Sequence, residues 1–192
     1  PEHRFPAAVE DSIAAVRHFA HRAGDYCIAA ARVAVGGDSA GGNLSAVVAL
    51  ATRDSGGPKL SFQLLIYPAP DQRMLHPSHA ANGAGYLLTR ELIEYFRGHY
   101  LPDATQHDDW RASPLLATDL TGLPPAYVLT AGFDPLVDEG KEYADRLAAA
   151  GVEVEFRCYQ DMVHGFIIMG GVLDTAREAV ADCAARLRRA LG

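Results

Sequence analysis

Cysteine is scarce in this chain of 192 residues, and its three copies, Cys27, Cys158 and Cys183, form no CxxC pair and stand at no metal-ligand spacing to histidine. A disulfide scaffold and a structural zinc site are thereby excluded. Small thiols buried like ordinary apolar residues, in a reducing, cytoplasmic setting, are expected instead. Long hydrophobic runs are also missing. The longest, residues 44–51 and 166–173, fall far short of the roughly 20 residues a membrane helix needs. No basic-then-apolar segment opens the chain, so a soluble protein without stable membrane insertion is expected. Basic charge is in deficit: 17 Lys and Arg face 24 Asp and Glu, a net −7, and the cations form no stripe, which argues against nucleic acid as a partner. With 49% hydrophobic and 21% charged residues, the chain reads as one globular domain.

What is present alternates between helix and strand. Pro6 followed by Val9, Ile13, Val16 and Ala20 spaces apolar residues three or four apart, an amphipathic helix with Gly24 as its stop. Residues 31–35, 61–67 and 126–131 are apolar nearly throughout and are closed by Gly36-Gly37, Pro68 and Gly132, as buried strands of a parallel sheet would be. Residues 152–159 alternate and supply a fourth strand. Helices are expected over 39–53, 136–150 and 176–191, the last with Arg186, Arg188 and Arg189 complementing its dipole. The order predicts an α/β fold with a mostly parallel sheet. Residues 70–125 contain one clear helix, 89–100 with Thr89 as N-cap, and read as an insertion over the sheet.

Gly37-Asp38-Ser39-Ala40-Gly41 matches G-x-S-x-G between a strand and a helix, the setting of a nucleophile elbow. Glycine at 37 and 41 suits a strained, closely packed turn. The helix that follows presents free N–H groups to a developing oxyanion, Ala40 first. A serine hydroxyl needs a base, and the base needs an orienting carboxylate. Asp134 follows the third strand and His164 the fourth, and in a parallel sheet all strand C-termini share one edge, so Ser39, Asp134 and His164 should converge there. The order Ser, Asp, His is that of an α/β-hydrolase. Singly, each has an ordinary explanation: Ser39 or Asp134 as an N-cap, His164 as a loop histidine. Their joint placement at three strand ends favours a triad.

Other residues fit less well. Asp38 is too near Ser39, Asp138 would lie a turn inside its helix, and Asp161 reads as a loop carboxylate. The pairs His18/His21 and His76/His79 lack a third ligand and read as surface histidines, so no metal is expected. No Lys-Ser or Lys-Thr follows Gly41-Gly42 to make a phosphate loop.

At these residues the chain resembles the hormone-sensitive-lipase-like (GDSAG) branch of the α/β-hydrolases, bacterial carboxylesterases and lipases acting on short acyl esters. The matching strings are Pro1-Glu2-His3-Arg4-Phe5-Pro6-Ala7-Ala8, Gly36-Gly37-Asp38-Ser39-Ala40-Gly41-Gly42-Asn43, Gly132-Phe133-Asp134-Pro135-Leu136 with Asp138-Glu139-Gly140, and His164-Gly165-Phe166. The resemblance implies Ser39 as nucleophile, His164 as base, Asp134 as its orienter and no cofactor. It implies a helical cap over residues 70–125, with Trp110, Tyr86 and Phe96 as acyl-pocket or cap-core residues. It also implies pairing of two copies through strand 152–159. The family's His-Gly-Gly-Gly loop, which supplies further oxyanion N–H groups, has no matching string here. By the family's plan residues 1–192 are one partial domain, a C-terminal part with four strands of the usual eight and an uncovered edge at strand 33–35. The N-terminal part of the same protein is then an expected partner.

The expected function is a serine carboxylic-ester hydrolase that acts on short-to-medium acyl esters through a Ser-His-Asp triad and an acyl-enzyme. Two rivals remain: a ligand-binding member of the fold that does not hydrolyse, and an inactive fragment that serves assembly. Intact Ser39, Asp134 and His164 oppose the first, and the absent oxyanion loop supports the second.

Overall fold

In the computed structural model, which describes residues 2–192, the four expected strands lie side by side as β1 (Ala34–Asp38), β2 (Phe62–Ile66), β3 (Ala126–Phe133) and β4 (Val154–Val163). Their order is β1-β2-β3-β4 and every neighbouring pair is parallel. Pro1, with which the first matching string begins, lies outside the described residues. The helices are α1 (Ala7–His21), α2 (Ala40–Asp54), α3 (Ser78–Ala81), α4 (Arg90–Tyr100), α5 (Val137–Ala149) and α6 (Asp174–Leu191).

Alternate strand residues feed opposite layers. Leu65, Ala126 and Val128 pack with Ala46, Leu50, Tyr143 and Leu147 of α2 and α5. Leu64, Tyr127 and Leu129 pack with Ala176, Ala179 and Cys183 of α6. Both faces of the sheet are thus covered, which is why the central strands are apolar nearly throughout, Gln63 and Thr130 excepted. Leu65 and Val128 are wholly buried, and shortening such a leucine to alanine costs about 2–5 kcal/mol. On the outer side of α2, Val47 meets Phe5 and Val9 at the start of α1.

Several boundaries differ from the sequence expectation. β1 starts at Ala34 and continues through Gly36-Gly37 to Asp38, because Gly36 pairs with Leu64 and Asp38 with Ile66. β4 runs on to Val163, so Asp161 is a strand residue, not a loop carboxylate. α1 ends at His21, and Gly24 lies inside a separate 3-10 turn, Ala23–Tyr26, rather than acting as the stop. Cys183 is buried, whereas Cys27 is exposed at a left-handed position with φ 55°, contrary to the buried-thiol reading. Within 70–125 no strand forms, and the Thr89 hydroxyl accepts the Leu92 N–H to cap α4. Leu115, Leu120 and Leu123 of that segment pack into the α2–α5 core, so its last part belongs to the sheet layers and is not laid over them. Among the described residues no helix is long and apolar enough to cross a membrane.

Candidate active site

Ser39 stands between the end of β1 and the start of α2 with φ 54° and ψ −114°. An L-residue held there is strained by on the order of 1–3 kcal/mol, so neighbours must impose the conformation. They do so through the backbone: Ser39 N–H donates to Ile66 O at 2.9 Å, and Ser39 O accepts from Asn43 N–H at 3.0 Å. The Asn43 side-chain amide donates to Ala69 O and Ala112 O, both at 2.7 Å, and anchors the first turn of α2. A Cβ on Gly37 would fall 2.6 Å from the Gly41 carbonyl carbon, so only glycine lets the helix start so close to the strand. Gly41 itself faces open space. The second tight position is Gly42, where an added carbon would sit 3.0 Å from Pro68, so close approach explains Gly37 and Gly42 rather than Gly37 and Gly41.

A bulge aligns the other two residues. Ala131 pairs with Tyr159 but Phe133 pairs with Val163, so β4 spends extra residues over the same span. Gly132 makes room for it: a Cβ there would lie 2.1 Å from Gln160 O. Bulges re-aim the side chains beyond them. Here the next residues, Asp134 and His164, emerge side by side, with His164 Nδ1 2.6 Å from Asp134 Oδ2 and His164 Nε2 3.0 Å from Ser39 Oγ. With Nδ1–H donated to the carboxylate, Nε2 is the acceptor for the serine O–H. The Asp134 side chain is fully buried, and its Oδ1 accepts the Leu136 N–H at 2.8 Å. That is a turn bond; α5 begins after Leu136, so Asp134 is not its N-cap. The Tyr67 ring sits 4.5 Å from the His164 ring, backed by Phe166. Ala40 opens α2, where an N–H has no partner one turn back.

The rival residues lie elsewhere. Asp138 accepts the Ser78 N–H through Oδ2, and Asp161 is within β4. His18 and His21 are exposed, but His79 is not a surface residue: it is buried against Glu139, and His76 bonds Glu142 at 2.8 Å. Among the described residues no group of three or more His, Cys, Asp or Glu side chains is arranged to hold a metal.

A cavity of about 660 Å³ opens beside Ser39 and His164, walled chiefly by Leu44, Leu88, Leu92, Ile93, Phe96 and Leu136. Of the aromatic candidates only Phe96 lines it. Tyr86 stacks on Phe133, and Trp110 packs beside Val47 and Leu101. Sequence reasoning missed Tyr67, Asn43 and the leucine wall. Tyr67 was visible only as a strand-end aromatic before Pro68.

A family model described as the alpha/beta hydrolase fold matches residues 1–168. The chain belongs to the α/β-hydrolase family. Carboxylesterase NlhH of Mycobacterium tuberculosis is 44% identical over 194 residues, a match covering 100% of this chain and 61% of that protein. Ethyl acetate hydrolase of Pseudomonas putida is 37% identical over 183 residues, covering 94% of this chain and 57% of that one. The crystal structure of EstE1, a thermophilic and thermostable carboxylesterase cloned from a metagenomic library, superposes with a TM-score of 0.96 at 42% identity, over 100% of this chain and 66% of its own. This α/β-hydrolase chain therefore spans about three-fifths of the length of the curated relatives it matches, and its four parallel strands are part of the family's sheet.

Proposed function

We propose that this chain carries the reacting groups of a serine carboxylic-ester hydrolase for short-to-medium acyl esters. The reading rests on one observation: an unbroken hydrogen-bond chain from Ser39 Oγ through His164 to Asp134, at the wall of an apolar cavity. Ser39 Oγ attacks the ester carbonyl carbon while its proton passes to His164 Nε2, and the carbonyl electron pair moves onto oxygen. Ala40 N–H donates to that oxyanion, where removing one donor typically costs ~10²–10³ in turnover. Collapse breaks the bond to the alcohol oxygen, which leaves with the proton from His164. Water then attacks acyl-Ser39, giving its proton to His164, and Ser39 departs with the proton returned. Asp134 stays ionised and holds the imidazole in the reactive tautomer.

The leucine and isoleucine walls suit a hydrocarbon acyl chain. Leu88, Leu92, Ile93 and Phe96 reach the cavity from around and within α4, which supports reading this part of residues 70–125 as a cap over the site. Mere ligand binding would not call for a strained serine aligned with a buried His–Asp pair, so hydrolysis is the better reading. The test is intact-protein mass spectrometry after incubation with a fluorophosphonate, on the chain and on Ser39→Ala. One adduct, lost in the variant, is expected. A folded sample with no adduct overturns the reading for this chain.

A further inference from the structure

The stretch that begins with Asp134 ends in a second buried carboxylate, which the proposed chemistry does not use. Glu139, in the first turn of α5, is wholly buried, and its Oε2 lies 2.7 Å from Nε2 of His79, itself 1% exposed. His79 belongs to α3, four residues long and too short to persist as an isolated helix. What holds α3 is its contact with the Asp134 turn. Ser78 Oγ–H donates to Pro135 O at 2.6 Å, and Ser78 N–H donates to Asp138 Oδ2 at 2.8 Å. The Asn82 amide donates to Gly132 O and to Asp134 O, each at 3.1 Å. Residues 78–82 thus grip residues 132–139 at both ends, with Asp134 inside the grip.

We propose that His79 and Glu139 are positioning residues: their buried hydrogen bond fastens α3 onto the Asp134 turn and so keeps the Asp134 carboxylate in line with His164 Nδ1. The role concerns the ester hydrolysis proposed above and rests on that reading. Burying two ionisable side chains is unfavourable unless they are paired, and two apolar residues would fill the space without that penalty. Among the described residues Glu139 Oε1 and His79 Nδ1 make no further hydrogen bond, and His76 Nδ1 stands 3.9 Å from Glu139 Oε2. The pair's contribution is where it puts α3.

The charge state fits that role. Desolvation pushes the Glu139 carboxyl well above its usual range, helped by the nearby Asp71 and Asp134, and desolvation pulls the His79 imidazole below its own. Both directions favour an uncharged pair in which Glu139 O–H donates to His79 Nε2. Asp134 is then spared a second negative charge five residues along its own chain.

Three variants test the proposal: His79→Leu, which breaks the pair; Asn82→Ala, which removes the other arm of the grip from a half-exposed position; and Glu139→Gln, whose amide still donates to His79 Nε2. Each is measured for kcat and KM on a neutral aryl ester, for melting temperature, and by NMR for the hydrogen-bonded Nδ1–H proton of His164. His79→Leu and Asn82→Ala should lower kcat on the order of 10- to 100-fold with KM little changed, as sub-ångström misplacement does, and should broaden or shift the His164 proton. Glu139→Gln should resemble the unsubstituted chain. Variants that melt earlier but keep kcat and the His164 signal, or a Glu139→Gln as impaired as His79→Leu, overturn it. If His79→Leu does not fold, Asn82→Ala and Glu139→Gln decide. If the unsubstituted chain neither hydrolyses esters nor takes the fluorophosphonate, the esterase reading fails, and the NMR signal alone decides whether the grip positions Asp134.

Discussion

Two histidine–carboxylate pairs draw their carboxylates from one short stretch of this molecule, His164–Asp134 at 2.6 Å and His79–Glu139 at 2.7 Å, and both carboxylates are fully buried. Their surroundings differ in two respects. Both Asp134 oxygens accept hydrogen bonds, one from Leu136 N–H and one from His164, whereas Glu139 Oε1 accepts none among the described residues. Hydrogen bonds to a carboxylate favour its charge, and burial without them favours the neutral acid. The far nitrogen also differs: that of His164 meets the Ser39 hydroxyl beside a cavity, and that of His79 meets no polar group. On the reading proposed above, the same two functional groups serve as a proton relay in one place and a fastener in the other. The substitutions below should separate them.

The largest separation should come from Asp134→Asn. The new side chain keeps the shape and an oxygen for Leu136 N–H, but its amide pointing at Nδ1 enforces the wrong imidazole tautomer, so Nε2 no longer accepts the serine proton. A fall in kcat of about 10⁴-fold, with KM and melting temperature nearly unchanged, is expected in steady-state kinetics. Glu139→Gln, the matching change in the other pair, should leave kcat within a few-fold. Equal losses in both would mean that the two pairs do one job.

How much of this contrast is legible in the sequence depends on how local its cause is. Ser39, Asp134 and His164 are legible because each follows an apolar or alternating strand, and parallel strands end at one edge. The step in register that sets Asp134 beside His164 is not, since Gly132 makes room for a neighbouring strand's Gln160. His79 is illegible for a related reason. A four-residue helix has no periodicity to show which face is buried, and the partner that buries it lies 60 residues away. Gly42 and Gly41 likewise look alike in sequence and are told apart only by where Pro68 passes.

Arg73→Gln probes the charged neighbour of the His79–Glu139 pair. Burial alone would raise the Asp71 carboxyl, but the hydrogen bonds from Arg73 more than reverse this and leave it below its usual range. A lowered folded-state value means that the pair's stabilisation is complete above about pH 4 and fades as pH falls through the folded value. Removing the guanidinium should cost roughly 1–3 kcal/mol at neutral pH, because it strands a buried carboxylate. Urea unfolding should then show the acid-side loss shrinking or reversing, because Asp71 without Arg73 takes up its proton more readily in the folded chain. If the acid-side loss is unchanged, Arg73 is not what keeps Asp71 charged.

Glu139→Gln should give the smallest effect and the sharpest test of charge state. Around Glu139 stand Asp71, His76, His79 and Asp134, and Arg90 and Arg97 act on His79. If Glu139 is protonated and His79 neutral in the folded chain, the folded pair binds one titratable proton. Between about pH 4.3 and 6.5 the unfolded chain binds one as well, on histidine, so the pair adds no pH dependence there. Above about pH 6.5 the unfolded histidine loses its proton while folded Glu139 keeps its own, so unfolding releases one and stability falls with pH. The slope approaches about 1.4 kcal/mol per pH unit until the raised Glu139 value is reached. In Glu139→Gln that slope vanishes, whereas Asp134→Asn leaves it in place. Urea unfolding midpoints from pH 6 to 8 read the difference directly. Equal slopes in the unsubstituted chain and Glu139→Gln would show that Glu139 holds no proton at neutral pH.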